Sequence, residues 1–161
     1  MIILVMGVSG SGKTTIGKLL ADSLDWEFSD ADAFHSPENV DKMRRGIPLS
    51  EADRMPWLQD LQTAIKHWLQ ENKNVVLACS ALKDSYRQFL VLDSDRIKLV
   101  YLKGSYELIQ MRLQERQNHY MSEKLLNSQF DTLEEPLDTI SMDVAQPPQV
   151  IVQNIRTALG I

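Results

Sequence analysis

The chain has 161 residues, 43% of them hydrophobic, which is enough for one compact domain with a sizeable core and too little for two ordinary ones. Its net charge of −5 and a pI near 5.2 argue against a nucleic-acid partner, which needs a basic face, so any cationic site must be local. The opening apolar run Ile2-Ile3-Leu4-Val5-Met6 is too short for a signal-peptide core or a membrane span, and the single cysteine, Cys79, has no internal disulfide partner; both lead us to expect a cytoplasmic chain with no membrane role.

Taken in order, Ile2 to Met6 reads as a strand, and Ile16, Leu19, Leu20 and Leu24 then fall on one face of a helix. A short strand follows at Glu27 to Ser29. Leu58, Leu61, Ile65, Trp68 and Leu69 form a second helical face, ahead of strands at Val75 to Cys79 and Ile97 to Leu102. Ser105 has the character of a helix cap, and the helix after it runs through Ile109, Arg112, Leu113 and Arg116 toward His119. A weaker strand at Thr139 to Asp143 and a helix with Ile151, Ile155 and Leu159 inward complete the chain. Apolar strands alternating with helices predict an α/β fold of three layers: a mainly parallel sheet of about five strands, helices on both faces, ligands at the carboxyl ends of the strands. Residues 1–161 are expected to form one domain.

The loop after the first strand is the strongest signal. Gly7-Val8-Ser9-Gly10-Ser11-Gly12-Lys13-Thr14 fits G-x-x-x-x-G-K-[ST] between a strand and a helix, the required context for a P-loop. Its glycines allow successive N–H groups to surround phosphate oxygens, and the positive end of the next helix favours the anion. Lys13 is expected to neutralise the β- and γ-phosphates of ATP, Thr14 to complete the shell of a Mg2+ ion, and Thr15 to add a phosphate contact.

A phosphate cradle does not by itself separate kinases from switches and motors. No glycine here has an aspartate three residues before it, so the D-x-x-G switch of GTPases is missing. Asn72-Lys73-Asn74-Val75 lacks the aspartate of a guanine-reading N-K-x-D, and the third strand ends Ala78-Cys79-Ser80 without a Walker B acid. Asp30 and Asp32 are the natural replacements, delivered by the short strand to the same sheet edge: Asp30 as metal partner, Asp32 as the group that takes or orients the proton of an attacking hydroxyl. Each has a plainer alternative, a helix cap or turn residue.

Across most of its length the chain resembles the gluconate kinases. The residues that carry the resemblance, besides the P-loop, are Asp30-Ala31-Asp32-Ala33-Phe34-His35 with Asn39, Lys42-Met43, Gly46-Ile47-Pro48-Leu49 and Asp53-Arg54-Met55-Pro56-Trp57-Leu58. Further on they are Cys79-Ser80-Ala81-Leu82-Lys83, Tyr86-Arg87, His119-Tyr120-Met121, Leu125-Leu126, Ser128-Gln129-Phe130 and Leu133-Glu134. The resemblance implies ATP-dependent phosphorylation of D-gluconate at its 6-hydroxyl, a P-loop kinase fold related to shikimate and nucleoside monophosphate kinases, and a homodimer.

Such a substrate asks for a cationic clamp on its carboxylate and hydrogen-bonding groups along its hydroxyls. Arg54, Lys83 and Arg87 are candidates for the clamp, Lys83 and Arg87 sharing a face by their spacing of four, with solvated surface charge as the alternative. His35 is a candidate hydroxyl partner or a structural hydrogen-bonder. In kinases of this shape, arginines such as Arg112 and Arg116 belong to a mobile lid, here about residues 117–135, that brings positive charge to the transferring phosphoryl group; Arg116 is the first choice and Arg112 a nucleotide contact, against an ordinary salt-bridged helix face. Where gluconate kinases commonly read His-Phe-Met-Pro, this chain has His119-Tyr120-Met121-Ser122. The segment Asp143 to Pro148 is expected to border adenine or merely to start the last helix. Trp57 and Trp68 are read as core or dimer contacts.

Overall fold

The structure is a computed structural model and describes residues 1–115 and 123–161. At its centre is β1 (Ile2–Met6), buried at every residue. It is flanked by β3 (Val75–Ala78) on one side and β4 (Ile97–Lys103) on the other, with β2 (Glu27–Asp30) outside β3 and β5 (Ile140–Asp143) outside β4. All four pairings are parallel, with Ile2 opposite both Val75 and Ile97. A parallel sheet hides both faces, which is why β1 and β3 read as unbroken apolar runs.

Alternation along β1 sorts the core into two layers. Ile3 and Val5 pack with Ile16 and Leu20 of α1 (Lys13–Leu24), Ile109 of α5 (Tyr106–Glu115), Leu126 of α6 (Glu123–Thr132) and Ile155 of α7 (Pro148–Leu159). Ile2, Leu4 and Met6 face the opposite way, onto Leu58, Leu61 and Ile65 of α3 (Glu51–Gln70) and Leu90 of α4 (Asp84–Leu90). Helices therefore cover both faces, as the alternation of elements predicts, and each expected strand is present within one residue at either end. Leu19 is a difference: it stays on the solvent side, and α1 instead buries Gly17 and Ala21 beside Ile16 and Leu20.

The helix starts near the sheet's carboxyl edge are chemically specified. Ser36 accepts the Asn39 N–H to cap α2 (Pro37–Arg44), whose first residue is a proline. Ser50 and Asp53 form a reciprocal capping box that starts α3 and so fixes the positions of Glu51, Arg54 and Trp57, one above another on its first turns. The Ser105 hydroxyl accepts the Leu108 N–H ahead of α5, as expected of a cap. Among the described residues no helix is long and apolar enough to cross a membrane.

Candidate active site

The turn between β1 and α1 makes the cradle. Gly12 precedes α1 in the left-handed region at φ 98° and offers no side chain to cap the helix, whose positive N-terminal end favours an anion. At Gly10, φ is 83° and a Cβ would stand 2.9 Å from a Leu113 methyl, so only glycine lets the loop pass under α5. Lys13 Nζ donates to the Val8 carbonyl at 3.1 Å, which holds its ammonium over the loop. Ser11 is turned inward and 1% exposed, and its N–H donates to the Val8 carbonyl at 3.1 Å, closing the loop on itself.

Beside the loop, Thr14 Oγ1 donates to Asp30 Oδ2 at 2.9 Å, and Asp30 Oδ1 accepts the Asp32 N–H at 2.9 Å. Asp30 thus both caps the short 3-10 turn Ala31–Phe34 and touches the P-loop threonine; the two readings of this aspartate coexist. The paired hard oxygens of Thr14 and Asp30 suit magnesium, which takes a few protein oxygens and keeps several waters. Asp32 points into a cavity shared with Lys13. The crowded cavity raises its carboxyl pKa, Lys13 draws it back down, and Asp30 pushes it up again. Asp32 itself is exposed to solvent, which tempers that upward shift.

The same cavity is lined by Ser9, His35, Arg54, Trp57, Ser80 and Tyr86, with Leu125, Ser128, Gln129 and Thr132 of α6 closing the far wall. Trp57, 4% exposed, forms part of this cavity as well as of the core. It stacks on His35 and donates Nε1–H to the Ala31 carbonyl. Asn39 Nδ2 donates to the Asp53 carbonyl at 2.9 Å, which fixes the amide's orientation; its contact with His35 Nδ1 at 3.3 Å is therefore also a donation. Nδ1 accepts, and the ring proton sits on Nε2. Burial, then the Arg54 charge, lowers the His35 pKa to about 4, so the ring is a neutral donor. Arg54 reaches the Tyr86 hydroxyl at 3.3 Å, and that hydroxyl donates to Glu51 at 2.8 Å.

Two of the clamp candidates sit differently from the sequence expectation. Lys83 is the residue before α4, not a member of it; its ammonium pairs with Glu51, and neither residue lines the cavity. Arg87 is 5% exposed and donates to the carbonyls of Ala81, Leu82 and Glu134 at 2.8, 3.0 and 2.7 Å. Ala81 has φ 44°, so the turn it makes leaves carbonyls without sheet or helix partners, and Arg87 satisfies them. The two residues do not share a face, and Arg87 does not line the cavity.

On the other side of the P-loop, Gly10, Gly12 and Thr15 line a second cavity with Arg112, Gln146 and Pro148. Arg112 donates to the Val144 carbonyl, tying α5 to the turn after β5, so the segment expected to border adenine does lie against the cradle. Arg116 and residues 117–122, the first part of the expected lid, lie outside the described residues; the remainder includes α6, with Leu125 and Leu126 buried. Cys79 is buried below Asp32, and burial pushes its thiol up to about 12, so it packs rather than reacts.

Sequence reasoning gave no role to Glu51, Tyr86 or Gln129. The capping box at Ser50 marks Glu51, Arg54 and Trp57 as one helix face, a signal for the first. Gln129 Oε1 accepts the Ser9 N–H at 2.6 Å across 120 residues, which no local pattern announces.

A strand-loop-helix phosphate cradle at a parallel sheet's carboxyl edge, with an acceptor cavity opening on its lysine, defines a P-loop kinase of small molecules, a nucleotide-binding class. The shikimate kinase family model matches residues 9–159, and a gluconokinase of Arabidopsis thaliana is 44% identical over 96% of this chain and 89% of its own. The chain belongs to the gluconokinase family. Among solved structures, a gluconokinase from Sinorhizobium meliloti superposes with a TM-score of 0.86 at 42% identity, covering 98% of this chain and 90% of that one. A sugar kinase from Janibacter superposes at 0.91, also 42% identical, over 99% and 94%.

Proposed function

We propose that this chain transfers the γ-phosphate of ATP to the 6-hydroxyl of D-gluconate, giving 6-phospho-D-gluconate and ADP. The observation that carries the reading is a single cavity in which Ser9, Lys13 and Asp32 at the phosphate end face Arg54 and His35. An anionic polyol needs one cation, several neutral hydrogen-bonding groups and a hydroxyl aimed at the cradle. The gluconokinase relatives support the same substrate.

In this reading the backbone of Gly7, Val8, Ser9, Gly10, Ser11 and Gly12, with Thr15, holds the ATP phosphates and Lys13 neutralises them. The hydroxyl oxygen of gluconate forms a bond to the γ-phosphorus as the bond to the β,γ-bridging oxygen breaks, and the hydroxyl proton passes to Asp32. A raised pKa makes Asp32 a better acceptor for that proton than an ordinary aspartate. Thr14 and Asp30 would hold Mg2+, which when bound neutralises charge on the phosphate oxygens. Arg54 takes the gluconate carboxylate, His35 donates Nε2–H to a hydroxyl, and Lys83 adds a nearby cation. Arg112 and Arg116 bring charge to the nucleotide side, while Arg87 supports the wall. A single domain of residues 1–161, working as a cytoplasmic homodimer on a small-molecule substrate, completes the reading.

The test is ADP release measured side by side with gluconate, idonate, shikimate and nucleoside monophosphates. Gluconate is expected to be preferred and its turnover to vanish in Lys13→Ala. A clear preference for shikimate or a nucleotide, or no turnover despite ATP binding, overturns the proposal.

A further inference from the structure

Gln129 reaches from α6 to the phosphate cradle, where its Oε1 accepts the Ser9 N–H at 2.6 Å. Ser9 is the loop residue that opens, with Lys13, on the acceptor cavity, whereas Gly10, Gly12 and Thr15 open on the opposite one. The Ser9 amide therefore lies at the Asp32 end of the cradle, where the terminal phosphoryl group of a nucleotide arrives. A carboxamide oxygen on that amide is an uncharged copy of a phosphoryl oxygen. One N–H serves one strong acceptor, and the charged oxygen is the stronger.

The backbone that carries Gln129 is held in place. Leu125 and Leu126 are buried, and Phe130 packs edge-on against Tyr106 with ring centroids 5.3 Å apart. Just beyond the helix, the Glu134 N–H donates to the Leu82 carbonyl and Arg87 donates to the Glu134 carbonyl. A displaced carboxamide thus turns about its own side-chain torsions. The side chain already lines the acceptor cavity beside Ser128 and Thr132, where its amide nitrogen becomes a donor.

We infer that Gln129 is a positioning residue that couples the two substrates: it holds the Ser9 amide while the cradle is empty, yields it to the γ-phosphate, and then presents its amide nitrogen to a hydroxyl of the acceptor. The inference rests on the kinase reading above and adds how the acceptor site senses a triphosphate. Coupling of this kind is reciprocal between the two ligands.

Calorimetric titration of the full chain tests it, using the acceptor that wild type turns over fastest, alone, with ADP, and with a non-hydrolysable ATP analogue. Choosing the acceptor by turnover separates this test from substrate identity. In wild type the acceptor is expected to bind about fivefold tighter with the triphosphate analogue than with ADP, the worth of one hydrogen bond. In Gln129→Ala that ratio falls to near one while ADP affinity is unchanged, and the acceptor KM rises more than the ATP KM. Gln129→Glu keeps an oxygen for Ser9 but sets a carboxylate against the γ-phosphate, so the analogue weakens about tenfold relative to ADP; this arm needs no acceptor. Melting temperatures identify any variant that fails to fold. A wild-type ratio of one, an unchanged ratio in Gln129→Ala, or wild-type proportions of analogue and ADP binding in Gln129→Glu overturns the inference.

Discussion

Trp57 lies flat against His35, ring centroids 4.4 Å apart and planes within 10°, while its Nε1–H donates to the Ala31 carbonyl at 2.8 Å. One indole therefore fixes both the imidazole of the acceptor cavity and the turn that carries Asp32. Trp57→Phe keeps an aromatic face but removes this buried hydrogen bond to the turn, an expected loss of about 0.5–1.5 kcal/mol. Trp57→Ala also opens a cavity and is expected to cost about 3–5 kcal/mol. Urea denaturation reads the stability; acceptor KM should rise in both variants, and an unchanged KM in Trp57→Ala would show that the stack is not needed to place His35.

His35 gives a pH dependence with a defined sign. An unfolded chain protonates its histidine near 6.5, whereas burial and the neighbouring Arg54 hold the folded ring neutral down to about 4. Between those values the unfolded state binds more protons, so the contribution is fully present above pH 6.5 and declines as pH falls toward 4. Melting temperatures of wild type and His35→Gln across this window should show the steeper decline in wild type. A proton NMR titration of His35 centred near 6.5 would contradict the burial argument.

Asp30 and Asp32 should separate kinetically. Asp32→Asn removes the proton acceptor and is expected to lower kcat about 100-fold or more, with ATP KM little changed. Its raised pKa places the acid limb of the wild-type rate above the ordinary 3.8 of an aspartate, since protonated Asp32 cannot take the hydroxyl proton. Asp30→Asn, which alters the partner of Thr14, should instead raise the magnesium concentration for half-maximal rate about tenfold. Initial rates across a magnesium series distinguish the two, and interchanged phenotypes would reverse the assignment.

What the sequence makes legible is what local chemistry repeats or punctuates. Ile2 to Met6 followed at once by Gly7 defines a buried strand and its loop, and β3 stands out in the same way because both its faces are covered, whereas the edge strands β2 and β5 mix polar with apolar residues and stand out less. Asp30 and Asp32 are readable because a short strand brings them to the edge that carries the P-loop. Side-chain direction is less legible. A spacing of four marks one face only inside a helix, and Lys83 precedes α4, so it turns to Glu51 while Arg87 turns inward. Nothing periodic announces an arginine recruited to carbonyls by a left-handed Ala81, nor a glutamine meeting a loop 120 residues earlier.

Arg87 and Lys83 supply the comparison that tests this distinction. Arg87 closes three carbonyls from two segments, the turn after β3 and the end of the α6 region, inside protein where water cannot replace it. Arg87→Met fills similar volume but takes the donor from the Ala81 and Glu134 carbonyls, Leu82 keeping the Glu134 N–H, and a loss of about 3 kcal/mol is expected, seen as a lower urea midpoint. Acceptor KM, measured at a temperature where the variant is folded, should change little, because the guanidinium does not face the cavity. Lys83→Ala breaks an exposed pair with Glu51 and a contact over the Tyr86 ring, so its stability should shift by about 1 kcal/mol or less. Any effect of Lys83→Ala should appear in acceptor KM, through the freed Glu51 carboxylate beside Tyr86 and Arg54. If Arg87→Met were as stable as wild type and bound acceptor tenfold more weakly, the guanidinium would have to leave its carbonyls for the substrate, and the clamp expected from the sequence would stand.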